Sequence, residues 1–291
     1  MSEAKIAAIE AVDKLHKNIN DHWNKVNYTK SIVAFVDVMG TKELILNNPD
    51  DFDTHKPIYK AWSEMENRQR LDECKFFFNE EYGDFIVKTT LMSDSVVLSI
   101  DANTPNAFSK LFMILGAFSH CLLSLKTPYF ARGAVVIGNI YHDDNIVFGP
   151  ALVKAHLMER DKAVNFRYII DKNDFNEISN LMESDIKCLW EAFFYLDTDY
   201  YCFDYLYRYF NYADNCISTG SASSLYLSAL ARMQKKIKYE ALNQKRIDVK
   251  SKYLWMEQYF NRTLNKVLKN SDTDEYLWLK KARSESGKTH E

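Results

Sequence analysis

Apolar and polar positions divide the chain into helices and strands in a regular order. Residues 3–26 carry apolar side chains at helical spacing, which predicts an amphipathic helix. The run SIVAFVDV, residues 31–38, is apolar and rich in β-branched residues, which predicts a buried strand. This strand ends abruptly at Asp37, and the glycine turn Met39–Thr41 that follows predicts the start of a helix.

The middle of the chain continues this alternation. A helix is predicted over 55–72, and a long apolar helix over roughly 105–125, with Pro105 in its first turn and Asn103 or Thr104 as its cap. Between the two helices, a tight hairpin is predicted from two strand-like runs. The predicted strands are Phe85–Leu91, Ser95–Ile100, Tyr129–Ile140, Ile146–Phe148 and Phe166–Asp171, with a helix from Gly149 to about Lys162 before the last of them.

The resulting order is β-α-α-β-β-α-β-β-α-β, which predicts an α+β sandwich of ferredoxin-like type. The last third of the chain differs from this part. Residues 193–206 predict a hairpin around Asp197–Asp199, and residues 219–269 predict helices with a break near 246–249. We expect its many aromatic side chains to pack on the core or on a partner; they are Tyr200, Tyr201, Phe203, Tyr205, Tyr207, Tyr209 and Phe210.

Composition narrows the class of protein. With 291 residues, 47% of them hydrophobic, the chain has enough apolar material for one large domain with an extension. Glycine (8) and proline (5) are scarce, and no stretch reads as a linker. The net charge of −3 leaves no basic footprint for nucleic acid. Five scattered cysteines without CxxC spacing are typical of a reducing compartment. With no apolar run of ~20 residues to cross a membrane, we expect a cytoplasmic protein.

Two carboxylates lie in apolar segments, where burying a charged group costs free energy. Asp37 ends a buried strand and Asp94 lies at the tip of the predicted hairpin, both in apolar surroundings. Mg²⁺ favours one or two carboxylates together with waters and substrate phosphates, and this pair fits that preference. Lys42 adds a cation beside the turn. A purely structural role also fits each residue alone, with Asp37 as a helix cap and Asp94 as a turn residue.

Three segments resemble motifs of the class III nucleotide cyclases. FVDVMGTKELI (35–45) is similar to the first metal motif, LMSDSVVLSI (91–100) to the second, and the segment from Arg132 to Arg160 to the Arg-x-Gly strand and its following helix. The resemblance covers roughly residues 30–172. KYLWMEQYFN (252–261) also resembles the C-terminal extension of the pyrimidine cyclases of Pycsar anti-phage defence.

Four positions depart from the purine-specific members of that family. The base-reading lysine and its acidic partner correspond to Thr90 and Ile146, and the asparagine and arginine that stabilise the transition state correspond to Val153 and Leu157. The resemblance therefore implies a cyclase that converts UTP or CTP to the 3′,5′-cyclic monophosphate. An inactive cyclase-like module that binds a nucleotide or dimerises, and a purine cyclase with unusual base contacts, remain as alternatives.

The resemblance also implies a set of site residues and partners. Asp37, Asp94 and the carbonyl of Val38 would hold two Mg²⁺ or Mn²⁺ ions, and Gly40, Thr41, Lys42, Thr90 and Ile146 would contact the substrate. The positive charge at the reacting phosphates would come from Lys42, Arg132, Lys154 or Arg160, although Arg132 also suits a structural ion pair. The implied assembly is a homodimer with active sites at its interface. The implied downstream partner is an effector that senses the cyclic nucleotide. The implied domains are an N-terminal helix (1–28), a catalytic domain (29–190) and an extension packed on the core (191–291).

Overall fold

A computed structural model describes residues 12–14, 16–17, 26–70, 87–181, 192–218 and 223–268. Its strands are β1 (Thr29–Val38), β2 (Lys88–Met92), β3 (Ser95–Asp101), β4 (Ala131–His142), β5 (Val147–Phe148), β6 (Tyr168–Asp171), β7 (Phe194–Asp197) and β8 (Tyr200–Phe203). Its helices are α1 (Thr41–Asn47), α2 (Phe52–Arg70), α3 (Ala107–Ser124), α4 (Pro150–Asp161), α5 (Lys172–Ser179), α6 (Tyr205–Ser218), α7 (Ser223–Asn243) and α8 (Ile247–Leu268). Most of the helix predicted over 3–26 lies outside the described residues.

One sheet organises the protein, with strand order β2-β3-β1-β4-β6-β8-β7 and with β5 paired to β4. Strand β1 is antiparallel to both β3 and β4, and β2 is antiparallel to β3. The first four strands, with helices in both crossovers, are therefore arranged as in a ferredoxin-like fold. The predicted α+β class and the predicted order of elements through β6 are confirmed. Strand β6 adds in parallel to β4, and the hairpin β7–β8 extends the sheet further.

Strand β1 is apolar along its length because both faces of the sheet are covered. Ile32, Ala34 and Val36 face the larger core under α3, whereas Val33 and Phe35 face a smaller core under α4. A strand buried on both faces reads as a continuous apolar run and not as an alternating one. This explains why the sequence predicts β1 so clearly, and it fixes Asp37 at the end of a rigid central strand.

Helix α3 is the central helix of the larger core. Among the described helices it alone has the length and apolar composition to cross a membrane, but 78% of it is buried inside the protein. Its predicted start was two residues early. Two successive turns, with Thr104 N–H donating to Asp101 O (2.9 Å) and Ala107 N–H to Thr104 O (3.0 Å), carry the chain past Pro105. The N-cap is therefore Asn106, with a φ of 55°, and not Asn103 or Thr104.

Among its described residues, the C-terminal third contains one helix that the sequence did not predict. The hairpin around Asp197–Asp199 and the two long helices α7 and α8 are confirmed, with a break just before Ile247. Helix α6, however, lies in the aromatic run from Tyr205 onward. The Asp204 carboxylate accepts a hydrogen bond from the N–H of Tyr207 at 3.1 Å and so caps this helix. Asp204 was the sequence signal for the start of the helix, but it lies within a run of aromatic residues that predicts a strand.

Helices α6, α7 and α8 share the larger core with α3 and the sheet. Tyr205, Tyr209 and Phe210 of α6 are buried there, so the predicted core role of these aromatic side chains is confirmed for them. Met233 of α7 and Met256 of α8 are fully buried in the same cluster. The boundaries of the three predicted domains stay predictions.

A buried hydrogen bond fastens α8 to the start of α6. Tyr259, 2% exposed, donates its hydroxyl to Asp204 Oδ1 at 2.6 Å. Burial raises the pKa of the Asp204 carboxyl, and this hydrogen bond opposes that rise. We expect Tyr259→Phe to lower the free energy of unfolding by about 1.5–3 kcal/mol, because a buried carboxylate loses a donor.

Urea unfolding of the full chain measures that loss. Tyr59→Phe is the matched control, since Tyr59 is 63% exposed and its substitution should change stability by no more than about 0.5 kcal/mol. Equal stability of the two variants would show that the buried hydrogen bond does not hold α8 in place.

Candidate active site

Two strand ends and one turn bring the predicted carboxylates together. Asp37 lies opposite Ser95 on β3 and Arg132 on β4. Asp94 lies in the tight turn between β2 and β3, where Ser93 adopts a positive φ of 57°. The backbone N–H of Val38 donates to Asp94 O at 3.0 Å and holds this turn against the end of β1. The two carboxylates lie close enough for the charge of Asp94 to raise the pKa of Asp37.

The glycine turn after β1 closes one side of this pair. Gly40 precedes α1 with a φ of 87°, a left-handed conformation that favours glycine. Thr41 is buried, and its hydroxyl donates to Val38 O at 2.7 Å and lies 3.4 Å from Asp94 Oδ2. Since a carbonyl oxygen has two lone pairs, Val38 O keeps acceptor capacity beside the two carboxylates. Thr41 therefore links the Asp94 carboxylate to the end of β1.

The environment of Asp37 suits a divalent cation. Burial is the main cause that raises the pKa of its carboxyl; Arg132 opposes the rise and Asp94 adds to it. A cation shared by the two carboxylates would relieve both the desolvation and the repulsion. Within the described part of the chain, no three His, Cys, Asp or Glu side chains cluster as a metal cage. The pair instead fits the Mg²⁺ type of site, which is completed by waters and phosphates.

Arg132 connects the carboxylate pair to a buried glutamate. Its Nε lies 3.3 Å from Asp37 Oδ2 and 2.7 Å from Glu159 Oε1, and its Nη1 donates to Ala163 O at 3.3 Å. Burial raises the pKa of Glu159 to about 7, against the opposing effect of Arg132. Arg132 thus forms the kind of structural ion pair that the sequence allowed, and it does so inside the site, where it orients Asp37.

The carboxylates open into a cleft of about 950 Å³ between the strand ends and helices α7 and α8. This volume lies within the range of roughly 300–1,000 Å³ that small-molecule sites occupy. Its basic lining residues are Lys42, Lys126, Arg132, Arg232, Lys235, Lys236, Arg246 and Lys252, eight in all; its acidic ones are Asp37, Glu43, Asp94 and Glu240, four in all. The cleft therefore carries a positive excess suited to a polyanion.

Most of these cations come from a part of the chain that sequence reasoning did not connect to the site. Helix α7 supplies Arg232, Lys235 and Lys236, the connection after it supplies Arg246, and α8 supplies Lys252. The run RMQKKIK in α7 was the available indication, because its basic residues cluster in a chain of otherwise balanced charge. Only the packing of α7 and α8 against the strand ends shows which carboxylates they face.

The basic residues predicted on α4 lie elsewhere in this chain. Lys154 pairs with both oxygens of Asp174 at 2.7 Å, and Arg160 pairs with Asp161 at 2.7 Å. His156 packs its ring edge-on against Phe35, with 4.9 Å between centroids. Neither predicted cation lines the cleft. The reason is that α4 covers the opposite face of the sheet, whereas the cleft lies at the strand ends.

The two positions expected to face the base also lie outside the cleft. Thr90 on β2 is partly buried, and its hydroxyl is 2.9 Å from Nε2 of His142, whose Nδ1 is 2.7 Å from the hydroxyl of Ser99. Burial, assisted by Lys88, lowers the pKa of His142 to about 4, so the imidazole is neutral at physiological pH. Ile146 is 51% exposed next to β5. The roles predicted for Thr90 and Ile146 stay predictions.

Comparisons with known proteins add little to this geometry. No family model matches the sequence, and no curated protein matches it. One structure of a bacterial light-regulated adenylyl cyclase aligns with 60% of this chain and 89% of its own length, at 9% identity and a TM-score of 0.35. A second such structure aligns with 89% of this chain and 71% of its own length, at 10% identity and a TM-score of 0.37.

Proposed function

We propose that this chain is a metal-dependent nucleotide cyclase. The observation that carries the proposal is the convergence of Asp37 and Asp94 at the mouth of a cleft with twice as many basic as acidic side chains. Carboxylates for divalent metal beside cations for phosphate are what a nucleoside triphosphate requires. The resemblance of residues 35–45 and 91–100 to the metal motifs of class III cyclases also supports a nucleotide cyclase.

The particular activity we propose is that of a pyrimidine cyclase, which makes cyclic UMP or cyclic CMP as a messenger in anti-phage defence. In the reaction, the 3′-oxygen forms a bond to the α-phosphorus, the bond from that phosphorus to pyrophosphate breaks, and the hydroxyl proton is released. Thr90 and Ile146 support a pyrimidine, because neither supplies the charged side chain that the purine-reading positions would have. A downstream effector that senses the product belongs to the same proposal.

The residues of the candidate site would have distinct roles in this reaction. Asp37, Asp94 and the carbonyl of Val38 would hold two Mg²⁺ or Mn²⁺ ions, which lower the pKa of a coordinated hydroxyl and polarise phosphate oxygens. Thr41 keeps Asp94 and Val38 in place, and Arg132 orients Asp37. The basic side chains of the cleft would offset the charge that develops on the leaving pyrophosphate.

A homodimer in the cytoplasm is the assembly we propose, with no nucleic-acid or membrane partner. Helix α4 supports a second copy as its partner, because Val153 is 57% exposed and Leu157 is 41% exposed on its outer surface. Lys154 and Arg160 lie on the same helix. In the proposed dimer, Lys154 and Arg160 would have to leave Asp174 and Asp161 to reach a nucleotide bound by the second subunit.

Incubating the chain with each of the four labelled ribonucleoside triphosphates and Mn²⁺ tests the substrate. We expect a cyclic product from UTP or CTP, with at most trace product from ATP and GTP. Preferential turnover of ATP or GTP would overturn the pyrimidine assignment, and the absence of product from all four would overturn the enzyme assignment.

One observation favours a non-catalytic, nucleotide-binding module as the second candidate. Arg132 lies 3.3 Å from Asp37, so this carboxylate has a positive partner without any metal. An ion pair of that kind would satisfy Asp37 in a chain that had lost catalysis. The two candidates separate in the same incubation, since the module would bind a triphosphate and yield no product from it.

A further inference from the structure

The cations of the cleft differ in how they are neutralised. Arg132 is shared between Asp37 and Glu159. Arg246 pairs with Glu43 and with Asp248, the latter at 2.8 Å. Both guanidinium groups therefore have carboxylate partners, and an incoming polyanion would have to compete for them.

Two cations of α7 are committed to the backbone instead. Arg232 donates to the carbonyls of Leu125 (3.3 Å) and Ser124 (3.2 Å) at the end of α3. Lys236 donates to Pro128 O at 2.6 Å and lies 4.6 Å from the centroid of the Tyr129 ring. These contacts fasten α7 to the loop before β4. They fix the position of the two positive charges, of which that of Lys236 also has the Glu240 carboxylate nearby.

Lys252 of α8 has neither kind of partner. Within the described part of the chain it forms no ion pair and no hydrogen bond, although it is partly buried. It lines the cleft with Asp37 and Arg132, and its positive charge lies close enough to lower the pKa of Asp37 and of Glu159, against the larger effect of burial. Burial first, and Arg132 second, lower the pKa of its ammonium group, whereas the carboxylates of Asp248 and Asp37 oppose this lowering. A partly buried ammonium group without a hydrogen-bonded partner is poorly solvated, and an anion in the cleft would supply that partner.

The other lysines of the cleft that form no ion pair differ from Lys252 in their exposure to solvent. Lys42, Lys126 and Lys235 are exposed, so water solvates them and their lack of an ion pair within the described residues costs little. Lys252 is partly buried instead. The next residue, Tyr253, packs its ring on Phe130 just before β4 and on Phe166 just before β6, with centroids 6.3 Å and 5.2 Å away, and so holds this part of α8 against the sheet.

We propose that Lys252 binds the β- and γ-phosphates of the nucleotide held at Asp37 and Asp94, so that helix α8 supplies a phosphate-binding cation from the same chain as the metal pair. The inference rests on the proposed function and adds a residue to it. It also accounts for the missing cations of α4, because the positive charge at the leaving group comes from α8.

Isothermal titration calorimetry on the full chain, with inorganic pyrophosphate as the ligand and Mn²⁺ present, tests the role of Lys252. We expect Lys252→Ala to weaken pyrophosphate binding about tenfold to a hundredfold, the range for the loss of a charge-assisted contact. Lys252→Arg should keep most of the affinity, since it keeps the charge. Lys250→Ala is the matched control, because Lys250 lies two residues away on α8 and outside the cleft.

A second readout separates binding from a merely structural role. Without pyrophosphate, Lys252→Ala should bind Mn²⁺ at least as tightly as the unsubstituted chain, because a nearby positive charge is gone while the carboxylates stay in place. Weakened Mn²⁺ binding in that variant would instead show that the site had collapsed and would overturn the assigned role.

The outcomes also separate this inference from the proposed function. Unchanged pyrophosphate affinity in Lys252→Ala, or an equal loss in Lys250→Ala, would overturn the role of Lys252 even if the unsubstituted chain makes a cyclic nucleotide. An unsubstituted chain that binds neither Mn²⁺ nor pyrophosphate would overturn both proposals together.

Discussion

Replacing Asp37 or Asp94 with alanine is expected to abolish the formation of cyclic nucleotide while the chain stays folded. Each substitution removes one of two carboxylates that together would hold the metal, and metal contributes several kcal/mol of transition-state stabilisation. At about 1.4 kcal/mol for each factor of ten, the rate should fall at least about a thousandfold. Stability should change little, because burial makes the Asp37 carboxylate costly and Arg132 keeps Glu159 as a partner.

Product formation by purified variants, at matched protein concentration and with unfolding curves recorded alongside, measures this effect. Asp199→Ala is the matched control for Asp94, because Asp199 lies in the tight turn of the hairpin β7–β8 and is 75% exposed. That variant should keep full activity. A carboxylate variant that retained more than a tenth of the original rate would show that the metal site is misplaced.

The second large effect is expected on stability, from Gly133→Ala in β4. A Cβ at this position would lie 2.6 Å from the carbonyl oxygen of Phe35 and 3.0 Å from the ring of Tyr168. The backbone of β1 cannot move away without disturbing the central sheet, so the cost should reach about 3 kcal/mol or more. The shift would also displace Arg132, which comes immediately before the glycine and holds Asp37.

Gly138→Ala in the same strand provides the comparison. Its Cβ would meet Ala151 Cβ at 3.3 Å, a side-chain contact that α4 can relieve with a small shift. Thermal and urea unfolding should therefore show a much larger loss for Gly133→Ala than for Gly138→Ala. Similar losses would mean that β1 and β4 are less rigidly paired at Phe35 than the structure indicates.

The sequence predicted the parts of this protein that local patterns determine. Strand β1 was clear because it is buried on both faces, and Asp37 and Asp94 were identifiable because a strand end and a tight turn place polar groups beside apolar ones. Their proximity depends on the antiparallel pairing of β1 with β3, which sets Asp37 opposite Ser95, the residue after Asp94. Helix α6 was missed because its aromatic residues favour strands by propensity, and burial in the core overrode that preference.

The rest of the site depends on contacts between distant parts of the chain. Lys252 is separated from Asp37 by more than two hundred residues, and no local pattern distinguishes it from a solvated lysine on a helix face. For Lys154 the difficulty was the reverse. Its helix was predicted correctly, but the position of Asp174 opposite it decides which charge it meets.

The central claim is that Asp37 and Asp94 bind divalent metal. Its most direct test is to measure Mn²⁺ binding by electron paramagnetic resonance in the presence of a non-hydrolysable UTP analogue. The unsubstituted chain is predicted to bind two Mn²⁺ ions per site, and the chain carrying both Asp37→Asn and Asp94→Asn is predicted to lose this binding while staying folded. Equal Mn²⁺ binding by the two proteins would contradict the assignment of Asp37 and Asp94 as the metal-binding pair.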